Sequence, residues 1–276
     1  MNTALNPALH RIDSSTQPEQ PPRLTSWTRT LNENDALALL DNATPGMTLS
    51  EWETLAHMVL PQARHDRRRE LVNIVREELL DHDGSHILPS AFLRLLQNGS
   101  PWRRIGLLYG RRLFGHPLAA QTLHALLLPA LARRDEPLAP EEASHLEQAD
   151  WARFLHETLH PDTGPQAFEK TRSTLQRHFA RLRVLEISGH TRRTTLVQHS
   201  EPDPIAFCWL LAHELVSTGQ LEVEQSWVMR QSFASQVFAV RPTYAIACLH
   251  AGIQEGLLVR GYLAGVERLH PGEVRR

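Results

Sequence analysis

The chain has 276 residues, 41% of them hydrophobic and 22% charged, with a formal net charge of −2. This is ordinary globular material, with enough apolar residues for a sizeable core and no overall charge that announces a nucleic-acid partner. The longest apolar run, Leu123–Leu131, is broken by Pro129 and too short to cross a bilayer, and no charged-then-apolar leader opens the chain, so a cytoplasmic protein without membrane contact is expected.

Residues 1–30 are rich in Pro, Gln, Ser and Thr without apolar periodicity. They read as a disordered arm, with Trp27 the one residue suited to dock on the body. From Asn34 the pattern turns helical. Asp35–Asp41 forms a short helix, and Thr48 followed by Glu51 is the signature of a capped helix start. His65–Leu80 places Leu71, Ile74, Val75 and Leu79 on one face. Pro89–Gln97, Trp102–Phe114 and Pro117–Arg134 continue the series, and 135–140 is linker-like. Residues 31–135 are therefore expected to form a helical domain.

Beyond the linker, Glu141–His160 reads as one or two helices, Pro161–Gly164 as a turn and Pro165–Leu182 as a strong helix opened by proline. Val184–Ile187 and Thr194–Gln198 are β-branched or apolar and flank a polar tip with a glycine, which is hairpin chemistry. Helix, turn, helix, hairpin is the order of a winged helix-turn-helix, assigned to residues 141–200. The remainder, 202–276, repeats the pattern in outline. Helices fall at Pro204–Val216, Glu222–Phe233 and Pro242–Glu255, and Gly256–Arg260 and Val266–Leu269 pair around a turn at Gly261–Gly265. The fold class expected is mainly α, with a second winged-helix-like unit at the C-terminus as an open alternative. Cys208 and Cys248 lie in apolar stretches and read as small core residues, not as a disulfide or zinc framework.

The segment Pro165–His199 holds seven basic residues, Lys170, Arg172, Arg177, Arg181, Arg183, Arg192 and Arg193, against two acids, Glu169 and Glu186. On a helical wheel Phe168, Leu175, Phe179 and Leu182 form the buried stripe. Opposite them lie Gln166, Lys170, Ser173, Thr174, Arg177 and Arg181. Arginine and lysine neutralise phosphates and release counterions, so Lys170, Arg177 and Arg181, with Arg192 and Arg193 at the hairpin tip, are assigned to the DNA backbone. Gln166, Ser173 and Thr174 can reach base edges. The plain alternative is a solvated face, or a winged helix that contacts protein. Arg103, Arg104, Arg111 and Arg112 could extend the basic surface, though ordinary surface arginines are the simpler reading. For Arg67–Arg69, local pairing with Glu70, Glu77 and Glu78 is sufficient.

Other chemistries have weaker support. Lys170 is the only lysine and follows Ala-Phe-Glu, not the glycines of a phosphate-cradling loop; no dinucleotide fingerprint or nucleophile elbow occurs. His156-Glu-Thr-Leu-His160 matches the H-E-x-x-H zinc motif, which would make His156 and His160 ligands and Glu157 a general base. Pro161 immediately after His160 is biased to end the helix where the second ligand needs it. The segment Asp81–His86 suits a turn better than a metal site. No catalytic residue, metal or cofactor is expected.

With these parts placed, Glu169–Leu175 opening a basic helix that runs into Val184–Ile187, together with Gly256-Leu-Leu and Arg268–Pro271, resembles the BrxA-type accessory proteins of BREX bacteriophage-defence islands. The resemblance implies a non-enzymatic helical protein that binds double-stranded DNA beside other proteins of its system. A transcription regulator, a winged-helix protein-interaction scaffold and, more remotely, a zinc hydrolase stay open as alternatives.

Overall fold

The computed structural model describes residues 23–25, 27–29, 31–60, 64–187, 194–263 and 265–272. The chain is mostly helical with two small antiparallel sheets. Helices α1 (Glu33–Asp41), α2 (Leu49–Val59), α3 (His65–Ile74), α4 (Ala91–Gln97), α5 (Pro101–Leu113), α6 (Pro117–Thr122) and α7 (Leu128–Arg134) make up the first half. Their starts follow from capping chemistry. Thr48 and Glu51 form the reciprocal capping box expected of them, and Ser90 and Ser100 cap α4 and α5.

Two expected helices are not regular throughout. The segment 65–80 passes into a π turn at Val75–Leu79, which keeps Val75 and Leu79 inside while Glu77 stays exposed. The segment 117–134 contains a second π turn at Leu123–Leu127. There the Leu128 amide reaches back to the Leu123 carbonyl, just ahead of Pro129, which has no amide to give. A local shift of register accommodates a proline that a regular helix interior would not.

The region expected to be one or two helices at 141–160 instead begins with a 3-10 turn (Glu141–Ser144) and strand β1 (His145–Glu147), before α8 (Gln148–Thr158). After α9 (Pro165–Arg181), strands β2 (Leu185–Ile187) and β3 (Thr194–Val197) form a sheet in the order β1-β3-β2. Register pairs Leu146 with Thr195 and Leu185 with Val197. The indole of the fully buried Trp151 on α8 donates to the Thr195 hydroxyl (3.1 Å), which fastens helix to sheet.

The C-terminal part repeats the outline of strand, helices and hairpin, with one helix more. Helix α10 (Pro204–Thr218) leads to β4 (Val223–Glu224), α11 (Gln225–Gln231), α12 (Phe233–Val237), α13 (Pro242–Gln254) and strands β5 (Leu258–Leu263) and β6 (Val266–Pro271), in the sheet order β4-β6-β5. Gly261 sits inside β5 opposite Arg268, and the chain reverses between Leu263 and Val266, so the hairpin is longer than the expected turn at Gly261–Gly265 allows.

The buried core runs continuously from Trp27 to Leu269. Helix α5 packs on α10 where glycine permits close approach. A Cβ at Gly106 would lie 2.8 Å from the Ala206 Cβ, and one at Gly110 3.2 Å from Leu210. The arm is described only in part. Leu24 bridges to Leu159, and Trp27 is buried against His116, with ring centroids 3.8 Å apart; the expectation of disorder for 1–22 falls outside the described residues.

Candidate nucleic-acid interface

Helix α9 is held by its apolar residues and by more polar burial than the wheel anticipated. Thr171, Thr174, Leu175, Gln176, His178 and Phe179 are all buried. At His178 the added width comes from α5 and the arm. His178 packs against Trp27 and Tyr109 and accepts from the Arg112 guanidinium at 3.2 Å. Burial, reinforced by Arg112 and Arg177 nearby, holds the imidazole neutral, with its pKa well below the usual histidine value.

The exposed side of α9 carries Gln166, Lys170 and Arg177, with Ser173 half-buried between them. Their spacing of four, three and four residues lines them up along one edge of the helix. Together with Pro165, Glu169 and Thr174 they border a shallow surface depression. Lys170 and Arg177 stand two turns apart, about 10 Å along the axis. Helix α9 starts at Pro165 with no side-chain cap, so its first-turn amides point out unpaired by side chains, at the positive end of the helix dipole.

The other assigned residues differ in situation. Thr174 is 3% exposed, so its hydroxyl belongs to the packed side of the helix although its edge touches the depression. Arg181 is turned to the N-terminal helices. Its Nε donates to Glu33 at 2.6 Å and its Nη2 to the second carboxylate oxygen, so its charge is paired within the chain. Arg172 pairs with Glu169 one turn back, and Arg183 lies over the Trp102 ring at 4.2 Å. Arg192 and Arg193 fall outside the described residues.

The second basic group forms ties within the chain. Arg103 meets Asp203 (3.1 Å), Arg104 meets Asp41 (2.7 Å), Arg111 meets Asp81 (2.8 Å), and Arg112, fully buried, meets Glu78 (2.8 Å). All four bind elements to one another, which the sequence could not reveal because each partner is 30 or more residues away.

The H-E-x-x-H segment does not form a helical zinc motif. Helix α8 ends at Thr158, and His160 lies beyond it in extended chain, its amide donating to Leu24. His156 stacks near Phe168 (4.5 Å), so the two histidines do not share a helix face. At 81–86, Asp83 accepts from the amides of Ser85 and His86 across Gly84, which has φ +96°, the turn expected there.

No family model matches the chain, and no curated protein matches it in sequence. Its fold is similar to that of SspB. One magnesium-ion-bound SspB crystal structure aligns with a TM-score of 0.55 at 13% identity, covering 90% of this chain and 84% of that one. A second SspB crystal structure aligns with a TM-score of 0.56 at 11% identity, over 91% and 85% of the two chains. The likeness extends over nearly the whole length, so it includes the helical first half as well as both sheet-bearing units. At this identity it speaks for the fold alone. Among the described residues of this chain, no three His, Cys, Asp or Glu side chains converge where a metal ion could sit. Among them, too, no helix is long and apolar enough to cross a membrane.

Proposed function

We propose that the protein is a non-enzymatic binder of double-stranded DNA, reading residues 141–200 as a winged helix whose recognition helix is α9. The observation that carries this reading is the row of exposed Gln166, Lys170 and Arg177, with half-buried Ser173 among them, on the second helix of a strand–helix–helix–hairpin unit. A recognition helix presents such donors to the major groove, cations to phosphates and Gln or Ser to base edges. The C-terminal unit supplies an internal contrast. It repeats strand, helices and hairpin with one helix more, but the helix that precedes its hairpin, α13, holds no lysine, arginine or acid between Pro242 and Gln254. Two units with the same sheet order thus differ in charge on the helix that leads into the hairpin. Lys170 and Arg177 are the principal phosphate contacts. Arg192 and Arg193 keep their assignment to the DNA backbone. Thr174 and Arg181 act chiefly in positioning α9.

A role beside other proteins in bacteriophage defence follows from the BrxA-type resemblance of the sequence and is part of the same proposal. The hairpin of the C-terminal unit is the surface for such a protein partner, since Val259, Tyr262, Leu263 and Val266 are exposed on it and β5 is a sheet edge.

The test is fluorescence anisotropy of a labelled duplex across a salt series, with wild type beside a Lys170→Ala/Arg177→Ala variant. Wild type is expected to bind with affinity falling steeply in salt. The variant should bind about tenfold or more weakly, with a log–log salt slope shallower by about 2. No binding by wild type at low salt would sink the proposal.

A further inference from the structure

Helix α9 carries one acid between Pro165 and Arg181, and it sits where a surface built only to hold phosphates would exclude it. Glu169 is 59% exposed at its side chain. It borders the same depression as Gln166, Lys170, Ser173 and Arg177. A carboxylate at that place repels a phosphate backbone and weakens binding that ignores sequence. Its Oε1 accepts from Nη2 of Arg172, one turn on. The other oxygen has no partner among the described residues. Arg172 is recessed, with its side chain only 12% exposed, so it steadies the carboxylate instead of reaching a phosphate itself. Glu169 is therefore an exposed acceptor held in place among donors.

Position along the helix separates what these side chains can reach. Residues near the start of a recognition helix meet base edges. Gln166 is the second residue of α9 and Glu169 the fifth. Arg177 lies about 12 Å further along the axis, roughly the width of the major groove. The carboxylate can thus stand over the bases while Arg177 stands at the bounding phosphates. There a carboxylate oxygen needs a donor. Guanine and thymine present acceptors or a methyl group. Adenine offers its N6 amino group beside the N7 acceptor, which repels the anion. Cytosine offers its N4 amino group with no acceptor beside it on its own edge.

We infer that Glu169 is a specificity-determining residue that reads a cytosine through its N4 amino group, so that the ligand of α9 is a duplex of preferred sequence. The inference rests on the DNA-binding proposal above. Arg172 is the positioning residue for Glu169, and Lys170 and Arg177 add affinity without choice of sequence.

The experiment selects bound duplexes from a pool with a randomised central segment, then measures the selected duplex and its single-base variants by anisotropy. Full-length wild type is compared with Glu169→Gln, Glu169→Ala and Lys170→Ala/Arg177→Ala. Wild type is expected to favour cytosine at one position by about tenfold or more, and to lose that advantage when the cytosine is N4-methylated. Glu169→Gln presents an amide that suits adenine N6 and N7, so its preference should move to adenine. Glu169→Ala should show no preference there and bind the unselected pool more tightly than wild type. The double variant should weaken every duplex alike and keep the cytosine. Since the Glu169–Arg172 pair is largely open to water, both Glu169 variants should keep the wild-type melting temperature. A wild type that binds duplex without base preference overturns the inference and leaves the DNA-binding proposal standing. So does a cytosine preference that survives in Glu169→Ala, whether or not that variant melts lower. A wild type that binds no duplex at low salt removes both.

Discussion

Arg177 and Arg181 are four residues apart on α9, both exposed, and nothing in the local sequence separates their roles. Arg181 differs through one contact, its two-point hold on Glu33 at the start of α1, 148 residues away. Glu33 is 17% exposed at its side chain and stands beside the Tyr109 phenol, whose pKa is pushed up to about 12 chiefly by burial and then by that carboxylate. The two arginines should therefore respond oppositely to truncation. Arg177→Ala is expected to lower duplex affinity and leave thermal stability unchanged. Arg181→Ala should leave affinity within about twofold and cost up to about 1 kcal/mol, since nearly half of its side chain is in water and an exposed ion pair contributes little. Melting curves beside the anisotropy titration separate the two, and an Arg181→Ala variant as defective in DNA binding as Arg177→Ala would contradict this division.

At the scale of elements, Arg112 in the last turn of α5 is where three parts of the chain are tied together. Its guanidinium donates to Glu78 in the first π turn (2.8 Å), to the Arg29 carbonyl in the arm (2.7 Å) and to His178 on α9 (3.2 Å), and lies 5.3 Å from the Trp27 ring centre. Arg112→Ala removes one partner of a buried pair and strands the other acceptors, so a loss of about 3–5 kcal/mol is expected, read as a lowered urea midpoint. Arg112→Met, which fills the space without hydrogen bonds, should recover part of it. If Arg112→Ala unfolds at the wild-type midpoint, the tie contributes nothing. Such ties explain which elements could be read from sequence. Helices with local caps were legible, as at Thr48–Glu51 and at Pro165, because the signal lies within a few residues. So was the β2–β3 hairpin, by its β-branched content. Strand β1 was not, because three residues, His145-Leu-Glu147, show no alternation and become a strand only by pairing with β3, some 50 residues on. The π turns were missed because apolar periodicity carries no signal of one extra residue in a turn. For the candidate site, the exposed row on α9 was legible from the wheel. The burial of Thr174 was not, since the wheel sets it on the polar side and only the tertiary packing of α9 covers it.

For the whole molecule, three buried titratable groups set opposing demands on pH. His178 is held neutral as described, and burial followed by the Arg112 charge lowers His116, stacked on Trp27, to about 4. The unfolded chain takes up protons at both imidazoles below about pH 6.5, where the folded chain refuses them, so these groups make stability fall on acidification. Glu214 on α10 acts in the other direction. Its carboxylate accepts from the amides of Phe233 (2.7 Å) and Ala234 (3.2 Å) at the start of α12, but burial outweighs those bonds and raises its pKa to about 7. The folded chain keeps that proton where the unfolded chain, at an ordinary carboxyl value, has released it, so this group makes stability fall as pH rises from about 4.5 to 7. Between about pH 5 and 6.5 the two histidines outnumber the glutamate. From these three groups, stability should climb with pH by roughly one proton's worth near pH 5, about 1.4 kcal/mol per unit, and less steeply toward pH 6.5, where the unfolded imidazoles are half-protonated. Removing one side of the opposition exposes the other. Glu214→Gln should steepen the climb by about one proton. His116→Asn combined with His178→Gln should reverse it, leaving a protein that weakens as pH rises. Urea unfolding at half-unit steps between pH 5 and 6.5 measures each slope against wild type. A Glu214→Gln slope equal to or shallower than wild type would mean that this carboxyl is ionised in the folded chain and caps α12 as an anion.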